Sequence, residues 1–241
     1  MRTNQLWLKR MMKFGLLLMM GVTMNADAGL FGLGGTSWKE EVLLHDGQKI
    51  IVERTAKRHG SHEIGQRPPI GDQSVSFSMP GTNQRVIWKD DYGKDVGGAN
   101  FNLMALDIVR GAAYLLVTPA GCLSYNKWGR PNPPYVVFKH VGGEWLRIPL
   151  QELPAEIKFP NLLHSSPDEV AEKSARGGIV PATVIREEND GYKQPEYKTI
   201  LREALPQKRI NQMCMEMVPY KGSWVMPNDP IARKFIDQQK R

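Results

Sequence analysis

The stretch that decides the fold is residues 101–118, FNLMALDIVRGAAYLLVT. Two apolar runs, Phe101 to Val109 and Ala112 to Thr118, flank Arg110-Gly111. A glycine in so short a connection takes positive φ without a Cβ clash, so the pair reads as a β-hairpin. The runs are almost continuously apolar, which marks central strands covered on both faces.

The same grammar extends outward. Upstream, Trp38 to Leu44 and Lys49 to Arg54 flank His45-Asp46-Gly47-Gln48, a second hairpin signal built on Asp-Gly. From Gln73 to Met79, Val75, Phe77 and Met79 alternate with Ser74, Ser76 and Ser78. Period two with that polarity describes a strand with one wet face. Arg85 to Lys89 continues it after the turn Pro80-Gly81-Thr82-Asn83. Downstream, Tyr135 to His140 and Glu144 to Leu150 flank Val141-Gly142-Gly143, and the second arm carries Trp145. No helical periodicity is visible between 37 and 150. The fold class is therefore mainly β, antiparallel hairpins in a sandwich or a blade-like meander. A closed propeller needs more strands than this stretch supplies.

After Pro149 the texture changes to a smaller α+β part. Ser166-Pro167-Asp168-Glu169 opens a helix with a cap, a proline at the first position and acids in the first turn, and Arg176-Gly177-Gly178 closes it. Pro195 to Leu205 reads as a second helix, Arg209 to Pro219 as a strand, and Ile231 to Gln238 as a short terminal helix. The organisation is a β domain over 37–160 and an α+β appendix over 161–241.

Ahead of it, residues 1–28 read as a secretory signal. Arg2, Lys9, Arg10 and Lys13 form the basic end, and Phe14 to Met24 forms an apolar run of eleven residues. A membrane-spanning helix needs about 20. Ala26-Asp27-Ala28 is a small-residue cleavage site, with the cut after Ala28. Gly29 to Thr36 (GLFGLGGT) is a flexible lead. The 241-residue chain has a formal net charge of +7. Cleavage removes four bases and one acid, and leaves 28 bases against 24 acids over 213 residues. That +4 is a solubility charge, not a nucleic-acid footprint. The densest basic stretch, Arg54 to Arg67, is interrupted by Glu63, Gly60, Ser61 and Gly65. Export places the chain in the periplasm, with no membrane span after cleavage. There the two cysteines, Cys122 and Cys214, are expected to pair. A loop of 92 positions closed by that bridge is worth about 4–5 kcal/mol in the chain-entropy account.

Five patterns bear on chemistry. Tyr125 to Tyr135 (YNKWGRPNPPY) joins aromatics, bases and three prolines. Its prolines favour an extended run, and Tyr125, Trp128, Arg130 and Tyr135 are of the types that anchor binding interfaces. His59, His62 and Glu63 offer imidazoles and a carboxylate to a transition metal, on a loop that fixes no geometry. Met213-Cys214-Met215-Glu216-Met217, on a strand, would put three thioethers on one face, a soft surface for Cu(I). Cys122 with His140 or His164 is a conceivable thiol nucleophile, but a disulfide removes it. The acid pairs Asp90-Asp91 and Glu187-Glu188 read as solvated faces. Gly-x-Ser-x-Gly is absent, Gly97-Gly98-Ala99-Asn100 is too short for a phosphate loop, and no cofactor fingerprint occurs. These patterns point to an exported, non-enzymatic binding module for a protein or a cell-envelope component. The alternative is a periplasmic hydrolase or metal-handling protein whose site is assembled from distant segments.

Overall fold

Turn chemistry sets the strand pairing. Gly47, at φ +85°, lets Leu44 close back on Gln48, so β1 (Thr36–Leu43) pairs antiparallel with β2 (Lys49–Arg58). β3 (Ile70–Ser78) and β4 (Arg85–Asp90) complete a four-stranded meander. The computed structural model describes residues 35–82 and 84–239. The expected signal at 1–28, and the lead as far as residue 34, lie outside the described residues. Thr36, assigned to that lead by sequence, already belongs to β1.

A second meander follows. Arg110 and Gly111 both take positive φ, 52° and 76°, and turn β5 (Phe101–Val109) onto β6 (Ala112–Pro119). β7 (Val136–Val141) and β8 (Glu144–Ile148) extend the sheet in order. The inner faces share one apolar cluster. Val52, Phe77 and Trp88 from the first sheet meet Leu103, Leu115 and Phe138 from the second. The protein is mainly β, with a smaller α+β C-terminal part, as the sequence leads one to expect.

The C-terminal part covers what the meanders leave open. Its helices are α2 (Pro167–Ser174), α3 (Ala182–Asp190), α4 (Pro195–Lys198), α5 (Gln207–Met213) and α6 (Pro230–Gln239), after α1 (Gly121–Lys127) between β6 and β7. β9 (Ile179–Val180) joins the first sheet parallel to β1, and β10 (Val218–Tyr220) pairs with β11 (Ser223–Val225). Ala171, Val180 and Ile185 close over Trp38 and Ala56 at one end of the first sheet. Leu153, Ile157 and Ile200 cover Met104, Leu116 and Val137 on the outer face of the second. Arg202 pins this cover by donating to the carbonyls of Leu153, Pro154 and Ile157, each at 2.8 Å. Among the described residues no helix is long and apolar enough to cross a membrane.

Sheet edges are satisfied individually. Asn161 imitates a strand along β5: its Oδ1 accepts the Leu106 N–H and its Nδ2 donates to Leu106 O, both at 2.9 Å. Trp145 Nε1 donates to Ile87 O on edge strand β4 at 2.9 Å. Each bond occupies a backbone group that an edge otherwise leaves open.

Four sequence expectations are corrected. Helix α1 interrupts the region read as free of helix; at seven residues it is too short to show a period. Arg209 to Pro219 is not one strand: α5 fills Gln207–Met213, and only Val218–Tyr220 pairs. The three methionines therefore share no sheet face. Pro195 to Leu205 is a single turn, α4, after which the Arg202 carbonyl contacts hold the chain extended. Ser166 precedes α2 in a left-handed conformation, φ 43°, and caps it through no side-chain bond; its carbonyl accepts the Val170 N–H instead.

Candidate functional site

The aromatic–proline segment is folded inward. Tyr125 and Tyr135 are buried, and their hydroxyls donate to Pro131 O at 3.1 Å and Glu196 O at 2.7 Å. Trp128 is half-buried, 4.5 Å from the Phe101 ring. Arg130 donates to Met215 O at 3.0 Å and Cys214 O at 2.9 Å. Beside it, Cys122 and Cys214 form the expected disulfide, with Cα atoms 5.3 Å apart. Tyr135 and Arg130 thus brace the C-terminal chain, and Cys122 carries no thiol.

The histidines are scattered. His59 Nε2 lies 2.8 Å from Asp72 Oδ2, with the ring 4.6 Å from Tyr92. Burial pulls the Asp72 pKa up, but the Tyr92 N–H and the His59 ring outweigh it and hold the carboxyl below the usual range. His62 turns to Gly60 O instead, and Glu63 accepts from Gln66. Among the described residues no group of three His, Cys, Asp or Glu side chains stands together as a metal site. His140 lies against Trp145. His45 bonds Asp107 Oδ1 through Nδ1 at 2.7 Å, and Asp107 also takes the His45 N–H at 3.0 Å. That pair ties the β1–β2 turn to β5. The hydrogen bond to Asp107 raises the His45 pKa against a smaller effect of burial.

His164 is different, because it borders a cavity of about 340 Å³. The walls are Leu163 to Ser165 on one side and Glu188, Asn189, Gly191 and Tyr192, around the end of α3, on the other. The segment leading into the cavity is anchored from far upstream. Glu40 and Arg54 form a fully buried ion pair at 2.8 Å, and Trp38 Nε1 donates to the same carboxylate oxygen at 2.7 Å. Glu40 Oε2 accepts the Leu163 N–H at 3.0 Å, and Arg54 donates to Leu163 O at 2.7 Å. Two buried charges are thus neutralised by each other and by one backbone unit, which fixes the segment leading into the cavity.

The His164 ring's own surroundings set its chemistry. His164 Nδ1 lies 3.1 Å from Leu103 O, a carbonyl that can only accept, so Nδ1 carries the hydrogen and Nε2 the lone pair. Burial, with the Arg54 charge adding to it, pushes the His164 pKa down to about 4. The imidazole is therefore neutral near pH 7. Tyr197 and Tyr192 hold it in place, with ring centroids 5.0 Å and 5.7 Å away. Asn189 is buried, and its Nδ2 donates to Leu162 O at 2.9 Å. Its Oδ1 accepts no hydrogen bond. Glu188 is exposed at the rim.

Neither a family model, nor a curated protein, nor a solved structure corresponds to this chain. The site rests on its own geometry, and sequence reasoning reached only His164, as a possible partner for Cys122. Asn189 and Tyr192 carry no motif. The one local signal is a polar Asn, with Gly191 and Tyr192 behind it, at the charged end of α3.

Proposed function

We propose that this protein is an exported, non-catalytic binding module of the cell envelope that holds a small ligand, or a small group of a larger envelope component, in the His164 cavity. The observation that carries the reading is the cavity that His164, Asn189 and Tyr192 line at the end of α3. A recess of about 340 Å³ with a few fixed polar groups, held on a rigid base, has the form of a small-molecule site. Export is supported by the basic end, apolar run and small-residue site of residues 1–28, and by the disulfide.

Thermal melting of the purified protein against a panel of small envelope components tests the reading. A ligand that raises the melting temperature of the wild type and not of Asn189→Ala supports it. Equal shifts in both proteins place binding elsewhere. For export, residues 1–34 fused to a reporter that folds only outside the cytosol should give activity. A silent fusion whose protein accumulates inside the cell overturns that part.

A further inference from the structure

We infer that the exposed face of helix α6 docks on an anionic lipid surface. The helix turns one side inward. Arg233 lies over the Tyr220 ring at 5.3 Å and donates to Pro227 O at 2.7 Å. One turn later, Asp237 accepts the Tyr220 hydroxyl at 3.0 Å and Lys221 Nζ at 2.6 Å. Residues three, four and seven apart share a helix face. Ile231, Lys234, Phe235 and Gln238 therefore stand together on the other side, and all four are exposed. Ile231 is 80% exposed and Phe235 59%, two large apolar side chains one turn apart. Single exposed apolar residues are ordinary, but an aligned pair beside a base is the pattern of a helix that lies in a membrane interface. None of these residues lines the His164 cavity.

Charge selects the occupant. From Met226 onward the acids are Asp229 and Asp237. Asp229 accepts the Ala232 N–H at 2.9 Å and so caps the helix, and Asp237 is held by Tyr220 and Lys221. The exposed face carries Lys234 and no acid, and Lys240 and Arg241 follow in the sequence. An anionic bilayer attracts such bases and takes up isolated apolar side chains without needing a complementary shape. A second copy of the chain fits less well. A ten-residue helix presents a face about 15 Å long and about 10 Å wide, so two such faces bury about 300 Å², against the roughly 1,200 Å² of a stable interface. Their Lys234 charges would also repel.

The experiment is co-sedimentation with vesicles of phosphatidylglycerol and phosphatidylcholine in equal parts, and with vesicles of phosphatidylcholine alone. It uses the chain from Gly29 onward, so that the apolar run of residues 14–24 adds no binding of its own. The mixed vesicles are expected to bind at least about fivefold more tightly, and the difference should close at high salt. Lys234→Gln should weaken binding to them about three- to fivefold. The double change Ile231→Ser with Phe235→Ser should weaken it at least about tenfold. These side chains are exposed, so the melting temperature should not move, and that measurement accompanies each variant. Sedimentation that ignores the double change, or that is equal for both vesicle types, overturns the inference. So does a wild-type dimer in analytical ultracentrifugation that the double change converts to monomer, because the face is then covered by a second copy.

Discussion

Strand β2 in the first sheet and strand β6 in the second occupy interior positions, yet they distribute their side chains differently. Along β2, Val52, Arg54 and Ala56 turn inward while Ile51, Glu53 and Thr55 face outward. Along β6, every residue from Ala113 to Thr118 is buried. Each sheet packs one face on the other. Among the described residues, only the second has a later piece of chain, from Leu150 to Leu201, laid across its other face. Whether a strand reads as alternating or continuous is set by what covers it, and that cover here lies 30 to 90 positions further along the chain. The inward face of the first sheet also runs past the second, and there the same strands bury an ion pair in place of apolar groups.

The sharpest test of this contrast is Glu40→Ala, which strands the Arg54 charge in the interior and should cost about 3–5 kcal/mol by urea unfolding. Glu53, paired with Arg85 on the wet face of the same sheet at 2.7 Å, sets the scale for an exposed pair, where losses stay below about 1 kcal/mol. Next are Leu115→Ala and Leu116→Ala. These neighbours point to opposite faces of β6, and each should cost about 2–5 kcal/mol. A cost below about 1 kcal/mol at Leu116 would show that the C-terminal cover is not packed.

A smaller effect belongs to the turn that joins the sheets. The folded-state pKa of His45 is raised above its ordinary 6.5 by Asp107, so the pair's contribution is fully present below pH 6.5 and is lost as pH rises through the raised value. Unfolding free energy should fall on going from pH 6 to pH 8, and His45→Gln should flatten that part of the profile. A profile unchanged by the substitution would remove the pair from the account. The smallest effect is expected on the outer face, where Ile51→Thr should stay within about 0.5 kcal/mol, because the side chain is already exposed. A larger loss would mean that this face is covered after all.

How far each feature was legible follows from the range of the forces behind it. Asp46-Gly47 and Arg110-Gly111 act through the conformation of their own residues, and the hairpins they specify are present. The alternation at Val75, Phe77 and Met79 reflects the two-residue period of a strand, and those residues face the core. The methionine run from Met213 to Met217 looked like a strand by the same rule. Its conformation is instead imposed by a disulfide and by the Arg130 bonds to its carbonyls, neither of which a local pattern encodes. The segment Tyr125 to Tyr135 has the composition of an exposed binding loop. Composition does not say which way a ring turns, and these rings turn to the core.

The sequence by itself determined the mainly β class, the hairpin turns, the smaller α+β C-terminal part and the pairing of Cys122 with Cys214. All of these depend on neighbouring residues, or on there being one partner to choose. Tertiary structure decided the parallel strand β9, the covered outer face of the second sheet and the cavity. The cavity needs Leu163 seated on Glu40 and Arg54, 123 and 109 positions away, before His164 can meet Asn189. No short-range pattern records that meeting, because what creates it is the burial of a charge pair by a distant segment of the chain.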